Sequence, residues 1–193
     1  MYTGAILAGG RSLRMGQPKE GVLMSDGRTM IEHVIEPLSH LCQKIVIVGD
    51  CLGFSVPPQA SSRPQQNFIA LKDDPPGKGP LSAITTLLKS GIDPNGYIVT
   101  ACDQPFLTSD LLRLLLKKTA VPTIFQPEQD EMMIPFPGYY PVSWLSIIEN
   151  ELASGEYGIC HAILKSTVEY VSLSKEQQRL IRNINTPDEL QRR

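Results

Sequence analysis

Arg11, Arg14 and Lys19 are threaded through the glycine-rich stretch L-A-G-G-R-S-L-R-M-G-Q-P-K, in which Gly9, Gly10 and Gly16 carry no side chain. Backbone without Cβ atoms can approach a ligand closely and turn successive N–H groups toward it, while the cations complement several negative charges in a small space. That equipment suits the binding of a polyphosphate. Spacing excludes two familiar phosphate loops. A P-loop requires G-x-x-x-x-G-K-[ST], whereas five residues separate Gly10 from Gly16 here and the lysine comes three residues later. A dinucleotide fingerprint requires G-x-G-x-x-G opening a helix, but Gly9 and Gly10 are adjacent and Pro18 interrupts any helix starting in the loop. What is left is a longer anion-binding loop with its own cations, better matched to a nucleoside triphosphate than to a redox dinucleotide.

Carboxylates supply the second half of such a site. Asp103 follows Y-I-V-T-A-C, the most strand-like run in the middle of the chain. In open α/β sheets ligands sit outside the carboxyl ends of the strands. Magnesium usually takes one or two carboxylates plus substrate phosphates, so Asp103 is the candidate Mg²⁺ ligand. Asp73 and Asp74, with Lys78, stand in a loop held by prolines and glycines just ahead of Pro80, which fits the first position of a helix. The N-terminus of that helix is a second point that favours anions. His161 is isolated and reads as structural or solvated. Cys42, Cys51, Cys102 and Cys160 form no C-x-x-C pair, which points to reduced structural thiols rather than a zinc site or a disulfide framework.

These residues need a frame. The apolar run 5–8 and the β-branched run 44–48 read as buried strands, joined by a helix whose apolar positions Met30, Ile31, Val34, Ile35 and Leu38 recur at helical spacing behind Thr29 as cap, with Pro37 in its last turn. A helix between two strands implies parallel pairing. Residues 52–66 read as a surface loop, 68–71 as a short strand, 80–88 as a helix and 97–102 as a strand. Thr108 caps a helix that buries Leu111, Leu112, Leu115 and Leu116 and ends near Lys117 and Lys118. The pattern further predicts paired strands at 121–125 and 131–134, helices at 144–152 and 158–164, and a strand at 168–171. An alternating strand over 181–185 would place Asn183 and Asn185 on one side. Thr186, Pro187 and Glu189 then form a capping box for a terminal helix. The whole is a three-layer, Rossmann-like α/β arrangement, a mostly parallel sheet with helices on both faces, read as one domain over residues 1–193.

The motif L-A-G-G-x-S-x-R-M-G-x-x-K, met by Leu7, Ala8, Gly9, Gly10, Ser12, Arg14, Met15, Gly16 and Lys19, resembles the signature of MobA-like nucleotidyltransferases, and within them molybdenum cofactor guanylyltransferase. The aspartate followed by G-x-G-P-L, the C-D-x-P at Cys102 and Asp103, and the closing N-x-N-T-P-x-x-L extend the resemblance over nearly the whole chain. It implies a transfer of GMP from GTP to molybdopterin with Mg²⁺. Arg14, Lys19 and Asp103 would be catalytic. Leu7, Ala8, Gly9, Gly10, Arg11, Ser12, Lys19, Asp73 and Asp103 would face the nucleotide, and Asn183 and Asn185 would border the acceptor. The chain departs from the family pattern at Ser82 and Ala83, where the family often has Ala-Gly, at 135–141, and at 156–158, where Glu156, Tyr157 and Gly158 stand in place of a basic pair.

A net charge of −2 and a pI near 5.9 argue against nucleic-acid or membrane-surface partners, which would need a basic face. No apolar run approaches a membrane span and no signal-like segment opens the chain, so a cytoplasmic protein is expected; a monomer is the expected state, though the sequence does not fix it. Related activities use the same loop. CMP transfer to molybdopterin, or nucleotidyl transfer to a sugar phosphate, remains open, although cytidylyl relatives tend to read L-A-A-G. So does an accessory protein that binds a nucleotide without turnover.

Overall fold

Strands of five to eight residues that are apolar on both faces cannot stand in water, and they are covered here by amphipathic helices on each side. The computed structural model describes residues 2–9, 21–49, 66–74, 79–116, 120–130, 132–186 and 189; most of the glycine-rich loop, from Gly10, and the surface loop from residue 51 lie outside them. In chain order the elements are β1 (Tyr2–Leu7), α1 (Met30–Ser39), β2 (Cys42–Val48), β3 (Asn67–Leu71), α2 (Pro80–Lys89), β4 (Gly96–Ala101), α3 (Ser109–Arg113), β5 (Thr123–Pro127), β6 (Ile134–Pro141), a 3-10 turn (Val142–Trp144), α4 (Leu145–Ala153), α5 (Ile159–Leu164), β7 (Glu169–Leu173) and α6 (Lys175–Leu180). The strands form one sheet in the order β3-β2-β1-β4-β6-β5-β7. All pairings are parallel except those of β6, which runs against both β4 and β5.

Alternation along the strands sorts the core into two layers. Ile6, Ile45, Ile47 and Ile98 pack with Ile31, Val34, Ile35 and Leu38 of α1 and with Leu111, Leu112 and Leu115. Ala5, Val46, Val48, Tyr97 and Val99 face the other way, onto Leu81, Ile84, Leu87 and Leu88 of α2, Trp144 and Ile148, and Ile159, Ala162 and Ile163 of α5. The expected three-layer frame is present. A third, small cluster joins Val22, Met30 and Ile184, with Met24 and Phe106 against it.

Several local expectations hold through specific bonds. Thr29 caps α1, its N–H and hydroxyl both reaching the Glu32 carboxylate at 2.6 and 2.7 Å. Thr108 accepts from the Leu111 N–H. Helix α3 is shorter than expected, because the chain tightens at its end into i to i+3 bonds from Leu114, Leu115 and Leu116 at 3.1 Å. The second strand of the 121–134 pair is displaced: β6 occupies 134–141, the proline-rich stretch that departs from the family pattern. Pro135 and Pro137 fall where the register with β5 jumps from Gly138 to Ile134, and Pro141 is the last residue of β6, so the prolines sit at a bulge and an end. Residues 182–185 are not a strand but an irregular segment tied to the end of β4. Helix α6, capped by Ser174 through the Gln177 N–H at 3.3 Å, was not expected. Cys42 and Cys102 are buried and in no disulfide, and burial pushes the Cys42 thiol up to about 12. No helix among the described residues is long and apolar enough to cross a membrane.

Candidate active site

The register aligns Leu71, Val48, Leu7 and Ala101 in one row across β3, β2, β1 and β4. Backbone bonds carry the alignment one residue further, from Gly49 N–H to Leu71 O at 3.0 Å, Ala8 N–H to Val48 O at 2.8 Å and Cys102 N–H to Leu7 O at 3.1 Å. Gly9, Asp73 and Asp103 therefore leave the sheet along the same edge, each two residues past that row. Strand order reverses here: from β1 the chain moves outward to β2 and β3, then crosses back to β4 on β1's other side. Gly9 and Asp103 thus flank the topological switch point, where open sheets leave a crevice.

The crevice floor is bare backbone for a steric reason. Gly49 has φ of +142°, and a Cβ there would stand 1.8 Å from the Ala8 carbonyl oxygen. A Cβ on Gly9 would in turn face the Gly49 Cα at 3.9 Å. Leu7 is half-buried, Ala8 buried and Gly9 exposed, so the described start of the loop rises from core to surface within three residues. Gly10, Arg11, Ser12, Arg14 and Lys19 lie outside the described residues. Past the loop the chain is anchored again, with Val22 in the apolar cluster beside Met30 and Ile184, and the Met30 N–H donating to Val22 O at 2.7 Å.

Asp103 is held from two sides. The Ile184 N–H donates to its carbonyl at 2.8 Å, which brings Asn183 and Asn185 to the end of β4. The adjacent Gln104 side chain is buried and ties this corner to two other segments. Glu189 accepts from the backbone N–H groups of Asn185 and Thr186 at 2.6 and 3.2 Å, the reach-back of the expected capping box. The Arg182 guanidinium lies over the Phe106 ring at 4.5 Å. Three distant parts of the sequence meet here: the residues after the loop, the end of β4 and the closing motif.

Asp73 and Asp103 each have one carboxylate oxygen withdrawn from solvent. Asp74 is exposed, and its backbone is tied to α2 through the Thr86 hydroxyl at 3.1 and 3.0 Å, so Asp73 is the better placed of the pair to face a ligand. Three interstrand spacings separate β3 from β4, or ~14 Å, so Asp73 and Asp103 stand too far apart to share one atom of a ligand. No three His, Cys, Asp or Glu residues converge among those described. A hard cation fits this donor set only if the Asp103 carboxylate holds it and substrate phosphates complete the shell. At the other side of the crevice Gly79, with φ of +85°, precedes Pro80 at the start of α2, and the Tyr157 carbonyl lies 3.6 Å from where a Gly79 Cβ would stand. The Tyr157 backbone thus lies beside that helix end, where Gly79 and Pro80 stay exposed.

His161 has its own partner, Glu151 at 2.7 Å from Nδ1, and Lys165 approaches the same carboxylate at 3.1 Å. It is engaged in structure, as its isolation in the sequence suggested.

A model of the MobA-like NTP transferase domain matches residues 4–171. The chain is similar to the molybdenum cofactor guanylyltransferase of Desulfosudis oleivorans, at 30% identity with 98% of this chain and 93% of that protein covered. It is also similar to the enzyme of the same name from Pseudomonas putida, at 28% identity with 96% of this chain and 94% of that protein covered. Among solved structures it resembles molybdopterin-guanine dinucleotide biosynthesis protein A from Archaeoglobus fulgidus, at 26% identity, 98% and 95% coverage and a TM-score of 0.75.

Proposed function

Since the chain belongs to the MobA-like NTP transferase family, we propose that it transfers GMP from GTP to the terminal phosphate of molybdopterin, giving molybdopterin guanine dinucleotide and pyrophosphate. The observation that carries the reading is the pairing of β1 with β4, which sets the start of the cationic loop beside Asp103 at the switch point. Relatives named for guanylyl transfer, aligned over nearly the whole chain, supply the base and the acceptor.

An oxygen of the acceptor phosphate attacks the α-phosphorus. The new P–O bond forms as the bond to the bridging oxygen breaks, and its electron pair leaves with pyrophosphate. That attacking phosphate is already anionic at neutral pH, so positioning and charge stabilisation carry the catalysis and no strong base is required. Arg14 and Lys19 bind the β and γ phosphates and stabilise the departing charge, with Arg11 at the loop's edge. Asp103 would hold Mg²⁺, which when bound would neutralise charge on the phosphate oxygens. Asp73 accepts from the guanine, and Asn183 and Asn185 border the acceptor.

Incubation with GTP labelled at the α-phosphate, Mg²⁺ and molybdenum cofactor tests the reading. Labelled dinucleotide should form with GTP and not with CTP. Failure to form it, while GTP still binds, would point to a nucleotide-binding protein without this turnover.

A further inference from the structure

We infer that Gln104 is a positioning residue: it fixes the gap between the Asp103 end of β4 and the two segments that flank it, and so sets how the acceptor meets the nucleotide. The inference rests on the transfer reading above for its kinetic part alone.

A glutamine amide offers one acceptor oxygen and two N–H donors. In Gln104 all three are used, at a side chain only 2% exposed. Its Oε1 accepts from the Ala101 N–H at 3.2 Å, and its Nε2 donates to the Phe136 carbonyl at 2.8 Å and to the Ile181 carbonyl at 3.0 Å. The three partners belong to the last residue of β4, the bulged start of β6 and the entry to the closing segment. Each is a backbone group at the end of a regular element, where no ladder continues to satisfy it.

The neighbouring bonds give this clamp its consequence. Asp103 is followed directly by Gln104, and its own carbonyl accepts from Ile184. The segment that carries the two asparagines is therefore pinned at Ile181 by the glutamine and at Ile184 by the Asp103 carbonyl, while Asp103 itself is also held to β1 through the preceding Cys102 N–H bond to Leu7 O. The Phe136 side of the clamp is also built: the Tyr140 hydroxyl donates to Pro135 O at 2.7 Å, and a Cβ on Gly138 would stand 2.6 Å from that same oxygen. An unanchored 181–185 segment would let the asparagines drift while leaving the loop end of the crevice, Gly9 and Gly49, as it is. Loss of Gln104 should therefore act on the acceptor and spare the nucleotide.

Gln104→Met keeps length and removes all three bonds; Gln104→Asn keeps the amide but shortens its reach. In both, the KM for the acceptor should rise on the order of tenfold while the KM for GTP stays within about twofold, because one effector segment moves and the other does not. Equal rises in both KM values, or no rise in either, overturn the assignment. Amide hydrogen exchange supplies an arm that needs no acceptor. The Ile184 amide should lose protection in Gln104→Met while the β1 and β2 amides keep theirs, and unchanged protection at Ile184 overturns the clamp. Should a variant fail to fold, NMR of the unaltered protein decides: the Gln104 side-chain amide protons should exchange slowly and show contacts to residues 136 and 181, and fast exchange refutes it. A wild-type protein that forms no dinucleotide removes the transfer reading and leaves the exchange result to judge the clamp alone.

Discussion

Asp103 can be a turn residue or a charge, and asparagine separates the two roles. Asn serves as well as Asp in turns and caps, so a purely structural Asp103 would tolerate Asp103→Asn without loss of turnover. If the carboxylate holds Mg²⁺, loss of its charge should slow transfer on the order of 10²-fold, with the thermal midpoint nearly unchanged. GTP binding measured without metal should survive, and the tightening that metal adds should vanish. Turnover and metal-dependent tightening both retained would show that Asp103 is not the metal ligand. Asp103 was legible in the sequence because a carboxylate directly after a buried strand has only one place to go. Gln104 was not, since its three partners lie at 101, 136 and 181 and only the folded chain brings them together. The steric need for Gly49 was hidden likewise, because the atom it avoids belongs to Ala8 on another strand.

Much local chemistry was readable: Thr29 and Thr108 cap their helices and Pro80 opens α2 as expected, although α6 with its Ser174 cap was missed. Elements whose identity depends on a distant partner were not readable. The proline-rich run at 134–141 becomes a strand because β4 and β5 lie on either side, and 182–185 fails to become one because its bonds go to Asp103 and Glu189 instead of a ladder. The α4–α5 junction adds a pH dependence. Burial raises the Glu151 carboxyl, but hydrogen bonds from Lys165 and His161 outweigh it and hold the group below its ordinary 4.5. A carboxyl lower in the folded state contributes stability that is present above its unfolded value and lost as pH falls through the folded one. Glu156, 4.0 Å from the His161 ring, is the other acid facing this cluster. Glu151→Gln should therefore be less stable than the parent at neutral pH, and the difference should close on acidification below about 4.5. Urea unfolding at a series of pH values measures it, and a gap independent of pH would mean the carboxylate's charge is not what stabilises the junction.

At the scale of the molecule, the three layers followed from alternation and spacing, because burying both faces of a parallel sheet leaves few arrangements. The switch point followed from strand order, which sequence spacing alone does not give. On the proposed reading it would separate two ends of a ligand, with Asp103 and the cationic loop toward the phosphates and Asp73 ~14 Å away across β1 and β2. A base held at the far end must be distinguished by its edge. Guanine offers adjacent N1–H and 2-amino donors to a carboxylate such as Asp73, while cytosine has no such adjacent pair, and all triphosphates present the same phosphates to the loop. Nucleotide identity should therefore appear in the stability of the whole protein. A ligand at a hundred times its Kd stabilises the folded state by about 2.7 kcal/mol, which for a chain of this length raises the midpoint by roughly 5–10 °C. With GTP and Mg²⁺ at such a concentration the rise should reach that range, while CTP, ATP and UTP at equal concentration fall clearly short. In Asp73→Asn the advantage of GTP over CTP should shrink, since a neutral amide matches the two donors less well than a carboxylate does. Equal shifts for GTP and CTP in the unaltered protein would mean that the crevice reads phosphate and not base, and the guanylyl assignment would fail.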